Sequence, residues 1–144
     1  MFKAFAAMVC MAITAPAWAQ MTPVGLWKSV DDKTGDPKSE IRITDQGGVL
    51  SGRVEKLLRA GADPAALCTA CVDERKDQPM VGLEIIRGAK KAEGKDVWES
   101  GKILDPETGK SYTLRLTPTD SGSKLDVRGS IGPFGRTQTW VRVQ

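Results

Sequence analysis

Two thiols, three carboxylates and a few amphipathic aromatics are the groups in this chain whose types and spacing could do chemistry. Cys68-Thr-Ala-Cys71 has the spacing of a local disulfide, a redox centre or half a metal site. A zinc site needs further soft ligands, and the sequence holds no histidine and three cysteines in all, the third being Cys10. A thioredoxin-like centre opens a helix within a βαβ unit, a pattern not found here. A disulfide asks only for a turn that brings two Cα atoms within about 7 Å, and it is the expected state of the pair. Thr108-Gly-Lys-Ser111 resembles the end of a phosphate-binding loop, but Leu104 stands where that motif needs its first glycine. A Gly-x-Ser-x-Gly elbow is missing as well, and without histidine a serine nucleophile lacks its commonest base. Glu84, Glu99 and Asp105 are the remaining acid/base candidates. Glu84 falls inside the apolar run Val81–Ile86, where an ionised group must be paired or wet, and Arg128 and Arg136 are candidate partners. Trp98, Tyr112 and Trp140 carry polar tips on large apolar bodies, which suits either a ligand site or a core.

The elements that must position these groups are strands. Arg136 to Val143 alternates strictly, with Thr137, Thr139, Val141 and Val143 on one face and Arg136, Gln138, Trp140 and Arg142 on the other. The same period recurs over 25–30, 39–44, 49–58, 81–86, 97–104, 112–117 and 125–131, with Gly-, Pro- and Asp-rich turns between. Residues 59–78 break the pattern and read as one long loop carrying both cysteines and a charged run, Asp73-Glu-Arg-Lys-Asp77. About eight strands joined by short connections favour an antiparallel up-and-down meander, all-β, which closes into a barrel or stacks as a sandwich. The barrel is expected, because closure removes exposed edges and leaves room for one small ligand.

The last hairpin allows two registers. In one, Val127 shares the face of Gln138 and Trp140, which gives a largely apolar interior. In the other, Arg128 does, which gives a polar interior suited to a carboxylate.

Lys3, the apolar run Ala4–Ala15 and Ala17-Trp-Ala19 have the three parts of a secretory signal peptide over 1–19, leaving 20–144 as one domain. The apolar run is too short to span a bilayer. Removing Lys3 lowers the formal charge from +3 to +2, too weak and too dispersed for a nucleic-acid partner. The expected compartment is therefore exported, periplasmic or secreted, where a Cys68–Cys71 disulfide persists.

Several short motifs occur in a fixed order: Gly25-Leu-Trp27, Cys68-x-x-Cys71 before Pro79-x-x-Gly82, Gly101-Lys-Ile-Leu-Asp-Pro106, Gly109-Lys-Ser-Tyr112, and Val127-Arg-Gly129 leading to Gly135-Arg-Thr-Gln-Thr-Trp140. Together they resemble the bacterial family known as domain of unknown function 2147, over essentially the whole chain after residue 19. The resemblance implies an exported, lipocalin-like (calycin-type) barrel. It also implies that Trp27, in a Gly-x-Trp motif on the first strand, is covered by an arginine from the last strand, for which Arg142 is the match. Such a pair clamps the closed end of a barrel or contributes to binding.

These readings converge on a barrel that binds or carries a small apolar or amphipathic molecule, without metal or cofactor. A ligand-free interaction domain and a histidine-free hydrolase or redox enzyme are the alternatives. Contacts to a ligand are expected from Trp27, Glu84, Trp98, Tyr112, Arg128, Gln138 and Trp140, the aromatics stacking on its body and Glu84, Arg128 and Gln138 orienting its polar end.

Overall fold

The computed structural model describes residues 21–144; the leader expected over 1–19 lies outside the described residues. Eight strands follow one another: β1 (Gly25–Val30), β2 (Pro37–Gln46), β3 (Val49–Leu57), β4 (Glu84–Lys91), β5 (Trp98–Asp105), β6 (Lys110–Thr119), β7 (Lys124–Ile131) and β8 (Phe134–Arg142). Each pairs antiparallel with the next, and β8 returns to β1, so the sheet is a closed barrel rather than a sandwich. Among the described residues the one helical element is a 3₁₀ turn, Asp120–Gly122, and no helix is long and apolar enough to cross a membrane.

Alternation drives this fold, since every strand turns one row of apolar side chains inward. Ile41 and Ile43 of β2, Leu50 and Val54 of β3, Leu114 and Leu116 of β6, and Leu125 and Val127 of β7 are all buried. Hairpins with turn-forming residues carry the chain from strand to strand; Gly48 N–H, for example, donates to Asp45 Oδ1 at 2.7 Å.

The fourth strand departs from the sequence pattern. It was expected over 81–86 and instead runs Glu84–Lys91, so the β3–β4 connection extends over residues 58–83. Irregular pairing between Leu50 and Arg53 of β3 allows Ile85 and Ile86 both to be buried, which no regular strand permits. Ser100 of β5, at φ 64°, similarly shifts the parity of Trp98 against Gly101 and Leu104.

The long connection is tied down at its middle. Cys68 and Cys71 form a disulfide with Cα atoms 5.5 Å apart, and both are buried in the core cluster. A bridge closing so short a loop contributes about 2 kcal/mol in the chain-entropy picture, enough to set the loop but not the barrel. Cys68 Sγ, which as a disulfide sulfur carries no hydrogen, rests 3.6 Å from the carbonyl oxygen of Pro106 in the β5–β6 turn.

Candidate functional site

The two ends of the barrel differ in kind. At one end Trp27 is fully buried, donates its Nε1–H to Pro23 O at 2.7 Å and carries the Arg142 guanidinium 4.2 Å above its ring. That guanidinium donates in turn to the carbonyls of Thr22 (2.7 Å), Val24 (2.8 Å) and Gly122 (2.6 Å), knitting both chain ends and the β6–β7 turn together. Burial pulls the Arg142 pKa down from its ordinary value, yet the ring and carbonyls around it suit a cation. This end is a plug.

At the other end lies a cavity of about 580 Å³, open at its mouth. Its deeper wall is apolar, with Val54, Ile85, Ile103, Val127 and Trp140, while Ser29 and Ser39 satisfy one another through a 2.8 Å hydroxyl contact. Polar groups collect at the rim. Trp140 Nε1 donates to Gln138 Oε1 at 2.9 Å, Gln138 Nε2 donates to Asp32 Oδ1, and Arg136 Nη1 donates to Asp32 Oδ2 at 3.3 Å. The rim of β8 is thereby bonded to the β1–β2 loop. The size falls within the range of small-molecule pockets, roughly 300–1,000 Å³.

The last hairpin takes the first of the two registers, with Val127 opposite Gln138 and Leu125 opposite Trp140. Its consequence is only partly the apolar interior expected: the depth is apolar, but Arg136, Gln138 and Asp32 make the mouth polar.

Of the seven contact candidates, Tyr112, Gln138 and Trp140 line the cavity. Tyr112 is half-buried, and its hydroxyl has no hydrogen-bond partner among the described residues, which leaves it available. Trp27 sits in the plug, and Trp98 packs into the core with Lys91 5.8 Å over its ring. Arg128 lies on the outer face, opposite Thr137, whose Oγ1 it reaches at 3.5 Å. Glu84 is held by Arg53 at 3.2 Å and by Arg87, not by the Arg128 and Arg136 that the sequence offered as partners. Of the other acid/base candidates, Glu99 pairs with Arg115 at 3.6 Å, while Asp105 lines the cavity and its Oδ1 accepts the backbone N–H of Glu107 at 2.9 Å.

Sequence reasoning passed over the acids of the mouth. Asp31 and Asp32 read as turn formers, and Asp31 is one, its Oδ1 accepting the N–H groups of Lys33 (2.8 Å) and Thr34 (3.2 Å). Its other oxygen takes Arg59 Nη2 at 2.8 Å, while Arg59 Nε reaches Glu107 at 2.9 Å. Arg59 is thus a cross-link between the β1–β2 loop, the start of the long loop and the β5–β6 turn.

The Arg59 guanidinium, helped by the two backbone N–H groups, holds the Asp31 carboxyl far below the usual carboxylate range. A depressed folded pKa contributes stability that is complete at neutral pH and is lost as pH falls through the folded value. The loss begins near the ordinary value of 3.8 and continues below it. Asp31→Asn is therefore expected to destabilise at pH 7 and to converge on the wild type as pH drops below about 4. Urea midpoints of both proteins across that range check this; a constant gap down to pH 2 would contradict it.

Comparison with known proteins agrees with this architecture. The chain superposes with a TM-score of 0.73 on HP1028 of the human pathogen Helicobacter pylori, a member of the lipocalin family, at 17% identity over 87% of this chain and 85% of that one. At that identity the likeness is one of fold. No curated protein matches the sequence. The family model for DUF2147, described as "uncharacterized protein conserved in bacteria", matches residues 25–142, nearly the entire barrel. The chain therefore belongs to the DUF2147 family of bacterial proteins, and it builds that family's sequence into a lipocalin-type barrel.

Proposed function

We propose that this barrel binds one small amphipathic molecule in the bacterial envelope. The observation that carries the reading is the one-ended cavity of about 580 Å³, plugged at Trp27 and open at Asp32 and Arg136. The molecule's apolar body lies against Trp140, Val127 and Ile85, and its polar end meets Tyr112, Gln138 and Arg136 at the rim. Because Gln138 and Arg136 are already bonded to Asp32, a ligand with an anionic or hydrogen-bonding head competes with that carboxylate for the same donors. An oxidising compartment suits the Cys68–Cys71 bridge, and the leader-like start of the sequence supports export.

Native mass spectrometry of the protein purified from its own envelope tests the reading, by identifying what remains bound. Val127→Trp, which projects an indole into the cavity, is expected to weaken retention of that molecule, and of a fluorescent anilinonaphthalene sulfonate probe, by about tenfold or more. Circular dichroism checks that the variant keeps its fold. Bare protein together with unchanged probe binding by Val127→Trp would sink the proposal.

A further inference from the structure

The β7–β8 hairpin stands at the cavity mouth, and its tip is built unlike the other turns. From Gly129 to Gly135 the sequence Gly-Ser-Ile-Gly-Pro-Phe-Gly is uncharged, and Arg128 and Arg136 flank it directly. Ile131 and Phe134 are cross-strand partners around the Gly132-Pro133 turn, where Gly132 takes φ 56°. Phe134 is 80% exposed and Ile131 58%, so the two largest apolar side chains of the tip face solvent together. Scattered exposed aliphatics need no explanation, but a phenyl ring displayed on a tight turn beside an isoleucine does.

The charges around the tip indicate what it meets. Arg128 lies along β8, its Nη2 only 2.7 Å from where a Cβ at Gly135 would sit, and thus directly behind Phe134. Its cross-strand neighbour on β6 is Arg115, a second guanidinium on the outer face, which Glu99 pairs at 3.6 Å. Arg136, whose largely exposed side chain Asp32 pairs at 3.3 Å, stands on the opposite side of the strand, on a rim that carries Lys33 and Lys38 beside Asp31, Asp32, Asp105 and Glu107. An apolar tip collared by guanidinium groups has the order of a lipid interface, acyl chains below and anionic headgroups above. Two apolar residues on one turn are too little for a stable protein–protein contact, which needs about 1,000 Å² of buried surface.

We propose that this hairpin docks the protein, mouth first, on an anionic phospholipid bilayer, with Phe134 and Ile131 entering the interface and Arg128 and Arg136 on the headgroups. Ile131 and Phe134 also line the mouth of the cavity, so the docking element is continuous with it and points the mouth at the surface from which an amphipathic molecule would be taken or to which it would be given.

Flotation of the mature chain with vesicles tests it. Vesicles of phosphatidylglycerol and phosphatidylethanolamine are expected to bind the protein, phosphatidylcholine vesicles much less, and binding should fall in 0.5 M salt, where screening acts within about 4 Å. Phe134→Ser is expected to weaken partitioning by about tenfold and Phe134→Leu to restore most of it. Val141→Ser, at the plugged end, should have no effect, and Arg128→Gln should weaken binding and reduce its salt dependence. Equal binding to both vesicle types, or a Phe134→Ser variant that binds as the wild type does, would overturn the proposal. Val127→Trp separates the two readings: it is expected to lose the cavity's ligand while keeping vesicle binding, and loss of vesicle binding in that variant would overturn the hairpin's role.

Discussion

Replacing Trp27 by alanine is expected to cost about 3–5 kcal/mol of folding stability, a large share of what a domain of this size has. The indole is fully buried at the point where the barrel closes, and its own strand position pairs with Arg142 across the seam. That seam is short, Trp27 with Arg142 and Lys28 with Val141, extended by the hydrogen bonds of Leu26 with Val143 and Gln144. Truncation removes three things together: the core volume, the Nε1–H bond to Pro23, and the π-face beneath a guanidinium that burial already disfavours. The cation–π contact alone is worth on the order of 0.5–2 kcal/mol, and the cavity left behind accounts for most of the rest. Trp27→Phe keeps a ring under Arg142 but loses the Pro23 bond, so it should fall between. Guanidinium chloride unfolding of the three proteins gives the measurement. A Trp27→Ala loss below about 1 kcal/mol would mean the plug is not what closes the barrel.

The seam was also the part of the fold most legible in the sequence. Strict alternation over the last strand, Trp27 on the first and short turns between left few ways to arrange the chain, and the closed barrel follows from them. What alternation cannot carry is parity through an irregularity. The alternation places Val81 and Leu83 in one strand with Glu84, but the chain is in loop up to Leu83, whose carbonyl accepts from Val54 N–H while Gly82 N–H donates back to Val54. Ile85 and Ile86 are buried in succession, a pattern that reads as noise until the β3–β4 irregularity is seen. The interior of the last hairpin was undecided for a related reason. Its register depends on whether the turn holds two residues or more, and the pairing of Ile131 with Phe134 settles that it holds two, Gly132 and Pro133. Tyr112, Gln138 and Trp140 could be named in advance because strand position places them. Asp31, Asp32 and Arg59 could not, because loop residues meet only through the tertiary fold.

The loop's attachment leads to the second large effect. Gly109→Ala is expected to destabilise the protein by about 2–4 kcal/mol, although the residue is on the surface of a turn. Gly109 takes φ 76°, a left-handed conformation that costs an L-residue roughly 1 kcal/mol, and its N–H closes the turn onto Asp105 O at 2.8 Å. More decisive is the neighbour. A Cβ at this position would lie 1.9 Å from the carbonyl oxygen of Ala70, inside the disulfide-bridged turn, and a backbone atom in a cross-linked loop cannot swing aside. Either the β5–β6 turn or the Cys68–Cys71 segment must move outward. Such a shift strains the contact of Cys68 with Pro106 and the tie from Arg59 to Glu107, which borders the cavity mouth. The disulfide makes the prediction specific. With the bridge intact the clash cannot relax, whereas reduction lets the loop yield, so the Gly109→Ala penalty should shrink by about half in reductant. Urea unfolding of both proteins, oxidised and reduced, completes the cycle. Equal penalties in the two states would show that φ alone, and not the seating of Ala70 on Gly109, sets the requirement for glycine.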